Sequence, residues 1–367
     1  MDASKIYQVA INLIPGIGNL LARQLISYCG TAEMVFSANK KKLMQIPGIG
    51  SRTAQSILQH TTFRQAEELI SKCTKHRIKI LHFTDPDYPF RLQQLYDAPD
   101  IIFFKGNADL NPVKAVSIVG TRRVTGYGQS VAERIVADLK KHNATIISGL
   151  AYGVDHISHI EALKQGLPTI GVIAGGMNHI YPALHIKTVE KMYRHGGIIS
   201  EHKPDIIPEA HFFPARNRII AGLADAVIVV EAARKGGALI TAEYANNYNR
   251  EVFAIPGQIG QFFSQGCNNL IRSHKASIYT SIADLEYVLN WEPVKKDDRR
   301  GMNDLLNLSI PEKKIMNVLQ QNLEGMLIDE LSWKSQIPVN QIASHLLNLE
   351  FRGHVKALPG KKFRWKD

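Results

Sequence analysis

Four glycine turns, each at an end of an apolar run, carry the most chemically suggestive pattern in the chain. Ser117-Ile118-Val119-Gly120-Thr121-Arg122-Arg123 is a strand-like run that ends in a glycine and two arginines. Ser148-Gly149-Leu150-Ala151 and Gly175-Gly176-Met177 close later runs in a similar way, and Gly236-Gly237-Ala238-Leu239-Ile240-Thr241 opens a helical pattern. In an open parallel sheet, ligands sit at the carboxyl ends of the strands. These turns should therefore converge on one sheet edge as a concavity lined with backbone N–H groups, receptive to anions. A dinucleotide or nucleoside triphosphate fits poorly: Gly120-Thr121-Arg122 is not GxGxxG, and no GxxxxGK[ST] occurs. Arginines in place of close-approach glycines favour extended phosphate chains or stacked bases over a pyrophosphate. No cofactor is expected. The 14 histidines form no HExxH pair or other metal spacing, and Cys29, Cys73 and Cys267 lie far apart with no CxxC. Neither a metal site nor a disulfide framework is expected, and the cysteines suit a reducing compartment.

These turns need a scaffold, and the pattern from about residue 112 to 280 supplies one. Short apolar runs at 115–119, 145–148, 169–173, 197–200, 226–230 and 251–254 alternate with amphipathic stretches such as 129–141, 155–165 and 239–248. That alternation predicts an α/β fold with a parallel sheet covered on both faces. The charged, aperiodic strip Lys295–Gly301 reads as a linker, after which helical patterns at 311–322, 328–336 and 339–352 and a hairpin-like tail suggest a small winged helix. The expected domains are 1–75, 76–290, a linker at 291–304, and 305–367.

With 367 residues the chain has room for two or three domains. Its 44 Lys and Arg against 33 Asp and Glu give a formal charge of +11, which favours a polyanionic partner, nucleic acid or an acidic membrane surface. No run approaches the ~18 apolar residues of a membrane span, and the N-terminus lacks a signal-peptide pattern. A cytoplasmic protein without a membrane partner is expected.

Residues 1–75 read as short helices containing one repeat: Ile14-Pro15-Gly16-Ile17-Gly18 recurs 32 residues later as Ile46-Pro47-Gly48-Ile49-Gly50. A Pro-Gly-Ile-Gly turn places the next helix start, with its outward N–H groups, against whatever approaches the glycines. The repeat resembles the paired helix–hairpin–helix motif, which grips the duplex DNA backbone without reading sequence. Gly16, Gly18, Gly48 and Gly50 are its candidate contacts. Such a pair can also persist as scaffold; bases are few beside the first copy (Arg23) and more numerous beside the second (Lys40, Lys41, Lys42, Arg52).

A more specific resemblance runs through residues 80–280. The runs Ser117–Arg123, Ser148–Asp155, Tyr181-Pro182, Ser200-Glu201, Phe213–Leu223, Val229–Ala232 and Phe253–Gly257 resemble those of the DNA-processing protein A family (DprA, also called Smf). The resemblance implies an extended Rossmann-like parallel-sheet domain that binds single-stranded DNA, forms a homodimer and loads the RecA recombinase in natural transformation or DNA recombination. The expected function is a recombination mediator, not an enzyme. Carried over residue by residue, it implies phosphate contact by Arg122 and Arg123, with Ser148 and Gly149 nearby. It also implies contacts from Arg216, Asn217 and Arg218 at a helix start, from Lys187 after the Tyr-Pro pair, and from Gly236, Gly237 and Thr241. The family usually writes that last turn Ser-Gly-Ser-Leu-Ile-Thr; two hydroxyls are absent here.

Structural alternatives stand beside several of these. Arg122 and Arg218 could close ion pairs to Glu231 or Asp155, Asp155 could N-cap its helix, and Asn217 could brace a turn. Tyr127, Phe212 and Phe213 are stacking candidates, although the two phenylalanines fit a core equally well. A nucleotide-processing Rossmann-fold enzyme using Glu201 or Glu231, and a duplex-DNA architectural protein using the terminal modules, are the competing functions.

Overall fold

The computed structural model describes residues 3–292, 308–320, 322, 325–351, 354–358 and 362–365. The chain divides into two compact units, residues 1–294 and 295–367. The expected linker falls, from residue 293 onward, outside the described residues.

The first unit opens with six helices: α1 (Ala3–Leu13), α2 (Asn19–Cys29), α3 (Ala32–Ser37), α4 (Lys40–Met44), α5 (Ser51–Leu58) and α6 (Phe63–Lys75). The repeat explains two of their junctions. Ile14, Ile17, Ile46 and Ile49 are all buried, so each hairpin is fixed by its two isoleucines while its glycines stay outside. Gly16 and Gly48 take φ of +83° and +81°, a left-handed conformation that side chains disfavour. Gly18 and Gly50 are the N-caps of α2 and α5.

The sheet has nine strands: β1 (Lys79–His82), β2 (Ile101–Gly106), β3 (Ala115–Val119), β4 (Thr145–Ser148), β5 (Thr169–Val172), β6 (Gly196–Ser200), β7 (Ala226–Val229), β8 (Glu251–Ala254) and β9 (Ser277–Ile278). Their order is β1-β2-β6-β5-β4-β3-β7-β8-β9, with β3 to β9 parallel. The chain runs outward from β3 through β4, β5 and β6, then returns to β7 on the other side of β3 and continues to β9. The order therefore reverses between β3 and β7, and a ligand crevice is expected above their carboxyl ends. Helices α7 (Phe90–Gln93), α8 (Gly126–Leu139), α9 (Val154–Gln165), α10 (Ile186–His195), α11 (Phe212–Gly222), α12 (Gly237–Asn247), α13 (Gln265–Arg272) and α14 (Ile282–Leu289) complete the unit.

Sequence periodicity passed over β1 and β2, which add two antiparallel strands beside β6. Ile101, Ile102, Phe103 and Phe104 are all buried, and a short run that is apolar throughout has no period by which to assign it. These strands also dock the helices: Ile80, Ile101 and Phe103 share one core with Leu25, Phe36, Ile57 and Ile70. Polar contacts reinforce the seam. Arg23 donates to Leu95 O and Pro99 O, Asn12 donates to Asp100 at 2.7 Å, and Lys72 pairs with Asp205.

The second unit contains α15 (Ile310–Gln320), α16 (Ile328–Ser335) and α17 (Val339–Phe351). Beside them stands a small sheet of β10 (Met326–Leu327), β12 (Lys362–Trp365) and β11 (Val355–Leu358), in that order. Ile315, Leu319, Leu331, Ile342, Leu346 and Val355 form its own core. This is the winged-helix arrangement that the sequence suggested. Among the described residues of both units, no helix is long and apolar enough to cross a membrane.

Candidate nucleic-acid interface

A cleft of 860 Å³ opens above the β3/β7 crossover, lined on one side by Gly120–Arg123 and on the other by Lys235–Ala238. Arg122 stands at its mouth, exposed and without an ion pair among the described residues. Its guanidinium lies over the Phe213 ring at 5.7 Å from the centroid, and Phe213 in turn meets Tyr181 edge-on. An arginine held against aromatic rings keeps its donors free, which suits a phosphate with a neighbouring base.

The carboxylates that could have neutralised it are engaged elsewhere. Glu231 accepts the Thr125 N–H at 3.0 Å and the Thr125 hydroxyl at 2.5 Å, tying β7 to the start of α8. Glu201 pairs with Arg218. Burial pushes the Glu201 carboxyl up, and the guanidinium beside it pulls it back. Neither glutamate offers the free carboxyl that a ribosyl-bond enzyme would need.

The three clustered positions of α11 separate by face. Arg216 is buried beneath the cleft, donating to Gly149 O and Val172 O at the ends of β4 and β5. Burial lowers its pKa to about 10, against the raising influence of the nearby Asp155. Asn217 donates to Gly237 O at 3.1 Å and braces α11 against α12, while its side chain also lines the cleft. Arg218 points away from the cleft into its pair with Glu201.

The family model for DNA recombination-mediator protein A matches residues 79–290, and flanking models match a SAM-like helix-hairpin-helix tandem at 11–61 and a DprA winged helix domain at 305–361. The chain belongs to that family. Protein Smf of Synechocystis sp. is 29% identical over a match covering 99% of each chain. The crystal structure of DNA processing protein A from Streptococcus pneumoniae is 31% identical, covers 80% of this chain and 99% of its own, and has a TM-score of 0.68. That from Helicobacter pylori, described for its single-stranded DNA binding mode, is 30% identical, covers 58% of this chain and 95% of its own, and has a TM-score of 0.53.

Against the site that the family resemblance implied, Arg122, Arg123, Asn217, Gly236, Gly237 and Thr241 line one cleft, and Gly149 lines a small annex that shares Arg122 and Arg216 with it. Three expectations need correction, those for Ser148, Arg218 and Asp155. Ser148 is fully buried and donates to Ile118 O at 2.6 Å, so its hydroxyl serves the sheet. Arg216 gives its Nη1 to two carbonyls while still lining the cleft, and Arg218 spends its charge on Glu201. Lys187 is exposed on α10 but outside the cleft wall. Asp155 is not an N-cap: Gly153 holds that position, and Asp155 lies in the first turn of α9, buried beside Arg216 and accepting the Ala151 N–H at 3.3 Å. Of the stacking candidates, Phe213 lines the cleft. Phe212 packs against His202 and His211, and the Tyr127 hydroxyl donates to Pro256 O.

Sequence reasoning missed Lys235, Phe262 and Phe263, which form the opposite wall. Lys235 was legible as a base directly before a helix-opening Gly-Gly. The two phenylalanines lie on a single helical turn with no period to reveal them.

Proposed function

We propose that this protein is a recombination mediator that holds single-stranded DNA in the cleft above β3 and β7 and delivers it to the RecA recombinase, in transformation or general recombination. The observation that carries the reading is Arg122: a charged, unpaired side chain braced on an aromatic ring at the crossover point of the sheet. Arg123 extends that wall, and Lys235 with the glycine turn at the start of α12 faces it across the cleft. The sequence-insensitive character follows from the lining, which offers phosphate donors and ring faces but no base-reading helix. The single-stranded DNA binding mode described for the Helicobacter pylori relative supports the same ligand. A homodimer in the cytoplasm, without catalytic activity, completes the proposal. Two identical clefts on one strand would raise affinity through effective concentration.

The test is a salt titration of single-strand binding, with duplex of equal length for comparison. The parent protein should bind the single strand more tightly. Arg122→Ala should weaken binding to every sequence alike, about tenfold or more for a lost charge-assisted contact. Its slope of log affinity against log salt should become shallower by ~0.7. Arg122→Lys should recover part of the loss. A variant with an unchanged slope and a lowered melting temperature would mean that Arg122 holds the fold and that the strand lies elsewhere.

A second reading, duplex binding through the helical layer, is favoured by one observation. Lys40, Lys41, Lys42 and Arg52 around the second hairpin are exposed and form no ion pair among the described residues.

A further inference from the structure

The far wall of the cleft carries a feature that an internal stretch of DNA does not need. Helix α12 is 11 residues long and begins at Gly237, with Gly236 extended before it. The Leu239 N–H bonds to Gly236 O at 3.1 Å, which leaves the Gly237 and Ala238 N–H groups at the open helix end. Nothing lies within 4 Å of where a Gly237 side chain would begin, so a ligand atom can come up to the backbone.

Thr241 stands one turn further on. It is 1% exposed and lines the cleft, yet its hydroxyl has no hydrogen-bond partner among the described residues. The carbonyl one turn back, Gly237 O, which a helical threonine often uses, receives the Asn217 amide instead. With that carbonyl taken, the hydroxyl is left free for an acceptor that enters the cleft. Lys235, directly before the turn, is exposed, lines the same cleft and forms no ion pair among the described residues. Asp155 is the one acidic side chain along the cleft among the described residues, and it is buried beside Arg216.

We propose that the start of α12, with Lys235 and the Thr241 hydroxyl, is a subsite for a phosphomonoester: the terminal phosphate of a DNA strand or the phosphate of a free nucleotide. The inference rests on the reading of the cleft given above and adds to it a preference for strand ends. Donor count and charge decide between kinds of phosphate. Two backbone N–H groups, one hydroxyl and one ammonium make four donors, and the helix dipole adds about half a positive charge to that of the lysine. A phosphodiester has two non-bridging oxygens and a single charge. A phosphomonoester has three such oxygens and close to two charges at neutral pH, so it alone engages the whole set. Phe262, 61% exposed on the same wall, offers a ring face to the base attached to that phosphate.

The experiment compares one oligonucleotide in three forms, with a 5′-phosphate, a 3′-phosphate or hydroxyls at both ends, bound to the full-length protein at fixed salt. One of the phosphorylated forms should bind roughly tenfold more tightly than the hydroxyl-ended form. Thr241→Val and, separately, Lys235→Gln should bring the two affinities together. Arg122→Ala should lower both and leave their ratio intact. Thymidine monophosphate as competitor distinguishes the sources: if it displaces the phosphorylated strand, a free nucleotide also fills the site, and if it does not, the subsite serves strand ends. Equal affinity for all three oligonucleotides overturns this inference while leaving single-strand binding in place. Failure of every form to bind overturns the functional reading itself. Lys235 is a surface residue, so its variant reports on the ratio even if Thr241→Val does not fold.

Discussion

The two hairpins share the pentapeptide Ile-Pro-Gly-Ile-Gly, the same positive φ at the first glycine and the same N-capping second glycine. They differ in everything around it. Beside the first, Arg23 turns inward to Leu95 O and Pro99 O, with its guanidinium over Phe83 and near Asp100, and Leu20 is left 69% exposed next to Gly18. The second is surrounded by Lys40, Lys41, Lys42 and Arg52, all exposed. One copy has its base committed to holding the helical layer on the sheet, and the other presents its bases to solvent. A repeated motif establishes a repeated backbone; the neighbours decide what each copy does.

The largest expected effect tests the first half of that contrast. Asp100 is fully buried, and Arg23 and His82 are its charged or chargeable neighbours. Arg23→Ala removes two carbonyl contacts and the cation beside that carboxylate, which keeps its Asn12 hydrogen bond, an effect of about 4 kcal/mol on stability. Arg52→Ala, beside the second hairpin, should change stability by less than ~0.5 kcal/mol. Chemical denaturation of the two variants side by side checks this, and equal effects would erase the distinction.

The same division separates the arginines of the cleft, and pH sharpens it. Arg218 holds down a Glu201 carboxyl that burial raises. Arg218→Met should cost about 3 kcal/mol near neutral pH, because it leaves a charge half-shielded from water without its partner. In the variant, Glu201 has a folded-state pKa above its unfolded one. Protonation then favours the folded form, so the deficit relative to the parent should shrink as pH falls through the carboxylate range. Unfolding curves for both proteins at matched pH values would show it. A deficit that stays constant or grows on acidification would mean that Glu201 does not depend on Arg218.

These arginines also show where sequence reading ran out. Strand–helix alternation and the Gly-Gly turns located the sheet edge, because side-chain period and glycine usage follow directly from backbone geometry. Whether an arginine meets DNA or protein depends on partners distant in sequence: Gly149 and Val172 for Arg216, and Glu201 for Arg218. Arg216 and Arg218 are two positions apart on one helix and so face different ways, a fact that spacing contains but that has no meaning until the packing of α11 is known. That Arg122 lines the cleft is legible from its place directly after a strand end. Strands β1 and β2 escaped because they pair antiparallel, outside the strand–helix alternation by which the parallel strands are read.

The smallest effect concerns the second hairpin. If Lys41 and Arg52 each neutralise a phosphate of duplex DNA, replacing both with glutamine should lower the salt slope of duplex binding by ~0.9 per contact. Single-strand affinity in the Arg122 cleft should hold within twofold, because the substitutions touch neither the cleft nor the core. The first hairpin has no comparable pair of outward bases to remove, so substituting Asn19 and Leu20 beside it should leave the duplex slope where it was. Duplex titrations of the two double variants, run over the same salt range, compare the copies directly. Should both lower the slope, or neither, the hairpins would be equivalent, and the inward turn of Arg23 would say nothing about which copy meets DNA.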